Sequence, residues 1–99
     1  MYRRKGCSTV YYMALLHIID PELNAKIRPD HLAYIDRLYK ENKVLMAGPF
    51  TDGKGGMVIY RADSWEEAKR LAEADPVVAQ GARTLELREW KALDLPLSP

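Results

Sequence analysis

Two ionisable residues, His31 and Asp75, fall where the surrounding pattern calls for apolar ones. At about 100° per residue, the helical segment after Pro29 gathers Leu32, Ile35, Leu38 and Tyr39 on one arc, and His31 lies inside it. After Ser64 the same spacing groups Trp65, Ala68, Leu71 and Ala72, with Asp75 among them. Burying such groups unpaired costs about several kcal/mol, so each calls for a partner, and each suits the other. A carboxylate on one ring nitrogen fixes the tautomer and orientation of a histidine and stabilises its protonated form. The other nitrogen is then left to exchange a proton with a ligand, which is general acid–base chemistry.

Three further residues join this pair as candidates for ligand binding. Arg28 lies just before Pro29 and supplies a cation for an anionic group, or is simply solvated. Gly48 and Pro49 end an apolar run, where backbone amides could meet a developing oxyanion or where the chain merely bends. Plain readings exist for the pair as well. A histidine on an apolar arc is often a satisfied interior residue, and an aspartate before proline often caps the ensuing turn through the amide two residues on. His17, between Leu16 and Ile18, reads as an ordinary strand position. Gly53, Gly55 and Gly56 join strand to strand with no helix or Lys-Ser/Thr following, so they make no phosphate loop.

The elements that must position these residues follow from local chemistry. Val10 to Ile19 is rich in Tyr, Val and Ile and stops at Asp20-Pro21, which predicts a strand and then a loop. Pro29 opens a first helix that runs to about Asn42. Val44 to Phe50 and Met57 to Arg61 are two strands of a hairpin around the turn residues Thr51 to Gly56. Ser64-Trp65-Glu66-Glu67 is a capping box that opens a second helix, ending near Asp75 because Pro76 follows. Arg83 to Trp90 is the last strand. The unit spans residues 10–92, between a basic N-terminal tail, 1–9, and a C-terminal tail, 93–99.

The order β-α-β-β-α-β predicts a ferredoxin-like α+β sandwich, a four-stranded antiparallel sheet with two helices on one face. With strand one pointing up, the first turn of helix one, the last turn of helix two and the end of strand two share one rim. His31, Asp75 and Gly48-Pro49 converge there. A cation at a helix N-terminus and an aspartate at a C-terminus each oppose the macrodipole, so neither is placed there for helix stability.

Bulk properties narrow the function classes. Ninety-nine residues at 47% hydrophobic content suit one domain. A net charge of +1, from 15 basic and 14 acidic residues, offers no field for a nucleic-acid backbone. One cysteine and two histidines exclude an internal disulfide and the usual structural zinc site, and no motif demands an organic cofactor. A reducing cytoplasm fits this cysteine usage. Arg3, Arg4 and Lys5 ahead of an apolar stretch imitate the start of a secretory signal, yet no small-residue cleavage site precedes Asp20-Pro21. That stretch is also too short to span a bilayer.

The run Arg28-Pro-Asp-His31-Leu, then Ala47-Gly48-Pro49, Ser64-x-Glu-Glu-Ala68, Ala74-Asp75-Pro76 and Gly81, resembles the YCII-related (YciI-like) family across about Tyr12 to Trp90. The basic tail departs from the family's usual pattern. The resemblance implies a ferredoxin-like fold of the dimeric α/β-barrel kind and an active site centred on a histidine and an aspartate, here His31 and Asp75. It also implies proton-transfer chemistry on small cyclic metabolites, since one relative removes chloride from a chlorinated hydroquinone. Two functions follow as expectations. One is a cofactor-independent lyase or isomerase using His31 as base and acid and Asp75 to orient it. The other is a non-catalytic module that binds a small ligand or a partner. Strand one is apolar at both parities, and Val44 to Ala47 and Met57 to Tyr60 repeat the pattern, which predicts a homodimer formed through the helix-free sheet face.

Overall fold

A two-residue burial period builds the first strand, β1 (Thr9–Ile18): Tyr12, Ala14 and Leu16 are buried, and Tyr11, Met13 and Leu15 between them are half-buried. In the computed structural model, which describes residues 9–97, β1 is followed by α1 (Pro21–Lys40), β2 (Val44–Pro49), β3 (Gly55–Tyr60), α2 (Trp65–Glu73), α3 (Pro76–Ala79) and β4 (Arg83–Ala92). The sheet order is β2-β3-β1-β4 with every neighbouring pair antiparallel, which is the ferredoxin-like arrangement. Tyr12, Ala14 and Leu16 of β1 join Val58 and Tyr60 of β3, Ile27 and Leu38 of α1, and Ala68, Leu71 and Ala72 of α2 in one core. The short α3 adds Val77 to it, a third helix beyond the two expected. The other sheet face carries Tyr11, Met13 and Leu15 of β1, Met57 and Ile59 of β3 and Met46 of β2, by alternation and register.

The first helix corrects the sequence reading. It begins at Pro21, eight residues ahead of Pro29, and Asp20-Pro21 is its start rather than a loop. The Asp20 carboxylate accepts the Leu23 N–H at 3.1 Å, Pro21 fills the first helical position, where its missing N–H is harmless, and Glu22 complements the dipole. Pro29 sits inside the helix and forfeits the bond to the Ala25 carbonyl. The helix persists through it because Asn24, Ile27, His31 and Leu38 keep one buried face continuous across the interruption. At the far end, Asn42 takes φ 64°. The Asn42 and Lys43 amides donate back to the Tyr39 and Leu38 carbonyls at 3.0 and 2.8 Å, a Schellman closure.

The second correction concerns Asp75. Helix α2 opens as expected, Ser64 accepting the Glu67 N–H at 3.1 Å while the Glu67 carboxylate accepts the Asp63 N–H at 2.8 Å. It ends at Glu73, however, with Ala74 as its C-cap. Asp75 takes φ −59° and ψ 127°, the extended geometry that a following proline imposes, and is the N-cap of α3. His31 lies mid-way along α1 and Asp75 at a helix start, so the macrodipole argument for their pairing does not hold. The basic segment 1–8, including Cys7, lies outside the described residues.

Candidate functional site

The middle of α1 and the start of α3 pack together and bring His31 to Asp75. His31 Nδ1 lies 2.8 Å from both Asp75 Oδ1 and Oδ2, with His31 7% and Asp75 0% exposed. Both oxygens are acceptors, so Nδ1 carries the proton and donates a forked hydrogen bond. Oδ1 also accepts the Val77 N–H at 3.2 Å. The turn-cap reading of Asp75 and the pairing reading therefore describe one carboxylate in two simultaneous contacts.

Two phenols lie close enough to Asp75 to feel its charge. Tyr34 donates its hydroxyl to the Leu71 carbonyl at 2.7 Å. Burial first, and then the Asp75 carboxylate, raise its pKa above the ordinary phenol range. Tyr60 is fully buried, and the same two causes in the same order push its ionisation far upward. Its hydroxyl has no hydrogen-bond partner among the described residues.

His31 also lines a cavity of about 210 Å³. Arg28 and Arg83 supply its further charged wall, Ala47, Gly48 and Pro49 at the end of β2 close one side, and Leu16, Leu32, Ile35 and Val58 line it with apolar surface. The structure thus collects Arg28, His31, Gly48 and Pro49 around one space, with Asp75 behind the ring. Pro49 has no N–H, and the Phe50 N–H is already donated to the Gly55 carbonyl at 2.8 Å. The amides of the two residues after Gly48 are therefore not free for an oxyanion. A Cβ built on Gly48 meets nothing within 4 Å, so no packing demand explains the glycine. His17 is exposed and stands opposite Gly55 and Thr84 in the sheet, away from this cavity.

Arg83 is the site residue that sequence reasoning missed. It is 9% exposed, and its Nε–H donates to Asn24 Oδ1 at 2.7 Å. Burial lowers its pKa and the Arg28 charge lowers it further, while Asp75 acts the other way. Strand alternation puts Arg83 on the same side as Leu85 and Leu87, the kind of misplaced charge that drew attention to His31.

The sequence profile of the YCII-related domain matches residues 10–91. The chain belongs to the YCII-related family. It is 38% identical over 82 residues to the uncharacterized protein YjpA of Bacillus subtilis (strain 168), covering 83% of this chain and 96% of that one. It is 37% identical over 70 residues to protein YciI of Escherichia coli O6:H1, covering 61% and 71% respectively. Among solved structures, this YCII-related chain is similar to 5-chloro-2-hydroxyhydroquinone dehydrochlorinase (TftG) from Burkholderia phenoliruptrix AC1100, in complex with 2,5-dihydroxybenzoquinone. The TM-score is 0.70 over 82% of this chain and 93% of that one, and the identity of 22% makes this a likeness of fold. Among the described residues of the YCII-related chain, no helix is long and apolar enough to cross a membrane.

Proposed function

We propose that this chain is a cofactor-independent lyase or isomerase that moves a proton on a small ring metabolite, with His31 as base and then acid and Asp75 as the residue that orients it. The observation that carries this reading is the forked 2.8 Å contact from His31 Nδ1 to Asp75, made by a ring that also lines a cavity. With Nδ1 committed, Nε2 is the nitrogen available to take a proton from a carbon acid and return it to the product. The ring-shaped ligand follows by analogy with the structural neighbour, a dehydrochlorinase bound to a dihydroxybenzoquinone. In that chemistry, a base removes a proton, the electron pair forms a new double bond, and chloride leaves. In isomerisation no group leaves, and the proton is returned to another carbon.

The competing reading, a binding module without turnover, draws on the capping contact from Val77 to Asp75, which gives this carboxylate a structural task whatever the ring does. Incubation with chlorinated hydroquinones and small unsaturated lactones in deuterium oxide separates the two. Solvent deuterium appearing in the substrate or product, or chloride release, is expected from the wild type and lost at least about 100-fold in His31→Gln, the usual range for removing a general base. Binding of these compounds without exchange or release in any case would establish the module.

The same reading includes a homodimer in which a second copy covers the helix-free sheet face. Its support is the apolar character of Tyr11, Met13, Leu15, Met57, Ile59 and Met46 on that face.

A further inference from the structure

Two arginines, Arg28 and Arg83, line the cavity that His31 also lines. Among the described residues no carboxylate is bonded to either. The nearby buried carboxylate, Asp75, has both oxygens on His31 and one also on the Val77 amide. Arg83 commits its Nε–H to Asn24, which fixes the plane of the guanidinium, while its terminal nitrogens have no hydrogen-bond acceptor among the described residues. Those nitrogens are not sealed off. The Tyr60 hydroxyl is the one sealed, unpartnered side-chain atom among the described residues, so the free Arg83 nitrogens retain access, and Arg83 lines the cavity.

Unpaired cations that share a confined space repel, and burial weakens the hydration that would compensate them. Burial disfavours the Arg83 cation and the Arg28 charge adds to this, while the Asp75 carboxylate, already committed to His31 and Val77, offsets them only in part, so an anion in the cavity would be a favourable partner. The remainder of the wall is mostly apolar: Leu16, Leu32, Ile35, Met57 and Val58, with the segment Ala47 to Pro49. A cavity of about 210 Å³ has room for one small ring with a substituent or two.

We propose that Arg83, held in plane by Asn24, and Arg28 form an anion-binding subsite beside His31, so that the ligand is a small, mostly apolar carbon skeleton bearing an ionised oxygen group. A carboxylate, a phenolate and an enolate share this chemistry. In the enolate case the anion is the one that proton abstraction by His31 creates. The inference rests on the cavity being the ligand site, as in the proposed function, but not on turnover there.

Calorimetric titration of the full chain with benzoate and with its uncharged analogue benzamide tests it. Benzoate is expected to bind at least about tenfold more tightly, the minimum for one charge-assisted hydrogen bond. Arg83→Gln removes that preference by weakening benzoate far more than benzamide, and Arg83→Lys restores only part of it because the planar fork is gone. Arg28→Gln, on the exposed surface of α1, lowers benzoate affinity without touching the core, which keeps the test intact if Arg83→Gln folds poorly. His31→Gln keeps the preference, and a wild type that shows benzoate selectivity without deuterium exchange or chloride release would sink the enzymatic reading alone. Equal affinity for the two probes, or no benzoate binding at 20 mM, that is on the order of ten times the millimolar Kd of a weak ligand, overturns the subsite.

Discussion

Both carboxylate oxygens of Asp75 reach the same atom, Nδ1 of His31, at 2.8 Å each, and Oδ1 reaches the Val77 amide as well at 3.2 Å. One side chain therefore starts α3 and sets the plane of the imidazole. Since that carboxylate is wholly buried, its replacements separate the two contacts.

Asp75→Ala is expected to cost about 3–5 kcal/mol, because it removes the acceptor of a buried ring N–H and the cap together. Asp75→Asn should cost about half of that or less, since asparagine caps helices well and its oxygen still accepts one bond. Urea unfolding of the two variants reads the difference directly. Equal losses would mean that the charge of Asp75, rather than its hydrogen bonding, carries its contribution.

The forked contact also fixes the ring's proton. Two acceptors facing Nδ1 require it to be the protonated nitrogen of the neutral ring, with Nε2 bare. Nitrogen-15 spectra of the wild type should show that tautomer for His31, and Asp75→Ala should release the constraint. A neutral ring protonated at Nε2 would contradict the arrangement and leave no base for a ligand.

Tyr60 offers a prediction in pH. Its hydroxyl is buried without a partner among the described residues, and an unmade hydrogen bond costs about 1–3 kcal/mol, so Tyr60→Phe should leave stability at pH 7 unchanged or raise it. Burial and Asp75 raise its folded-state pKa well above the unfolded value of about 10. Below about pH 10 both states keep the proton and nothing is lost. Above it the unfolded chain releases a proton that the folded chain retains, so stability falls by about 1.4 kcal/mol per pH unit. Tyr34 and Tyr12, also raised chiefly by burial, add smaller losses of the same sign. Denaturant midpoints between pH 8 and pH 11 should decline more gently in Tyr60→Phe, and parallel declines would refute the assignment.

The glycines at the adjoining ends of β2 and β3 differ in what they tolerate. A Cβ on Gly55 would collide with the backbone carbonyl of Leu16, and one on Gly56 would lie 2.6 Å from the Gly48 carbonyl oxygen. Gly55→Ala should therefore destabilise by about 2 kcal/mol or more through forced separation of β1 and β3. Gly48→Ala, with open space around it, should change stability by less than about 1 kcal/mol. Thermal melts of both variants decide the comparison, and a reversed order would mean that the strands rearrange.

The fold was legible because each strand and α2 announces itself within a few residues, by alternation, turn glycines or the Ser64 cap. Pairing His31 with Asp75 was legible for another reason: a charged residue on an apolar arc demands a partner wherever its element begins. The start of α1 was not, because Asp20-Pro21 and Pro29 are both proline signals. Which one opens the helix depends on the burial of Asn24 and Ile27, a tertiary fact. Arg83 was missed because it is the first residue of its strand, where alternation has not yet been established. Its partner Asn24 lies 59 positions away.

The helix-free sheet face yields the last prediction. Met46 is 60% exposed on β2, an edge strand, and on that face it is the register partner of Ile59. In a monomer, Met46→Lys should be nearly neutral, since the side chain already meets water and a lysine on an edge strand is a common protection against association. In a dimer built on this face, the same substitution places a charge in an apolar interface and should weaken association by about tenfold or more. Light scattering at micromolar concentration should give about 22.6 kDa for the wild type, twice the 11.3 kDa chain, and a mass moving toward 11.3 kDa for the variant on dilution. A wild type that stays at 11.3 kDa would remove the dimer, and the benzoate titration would then describe a site complete within one chain.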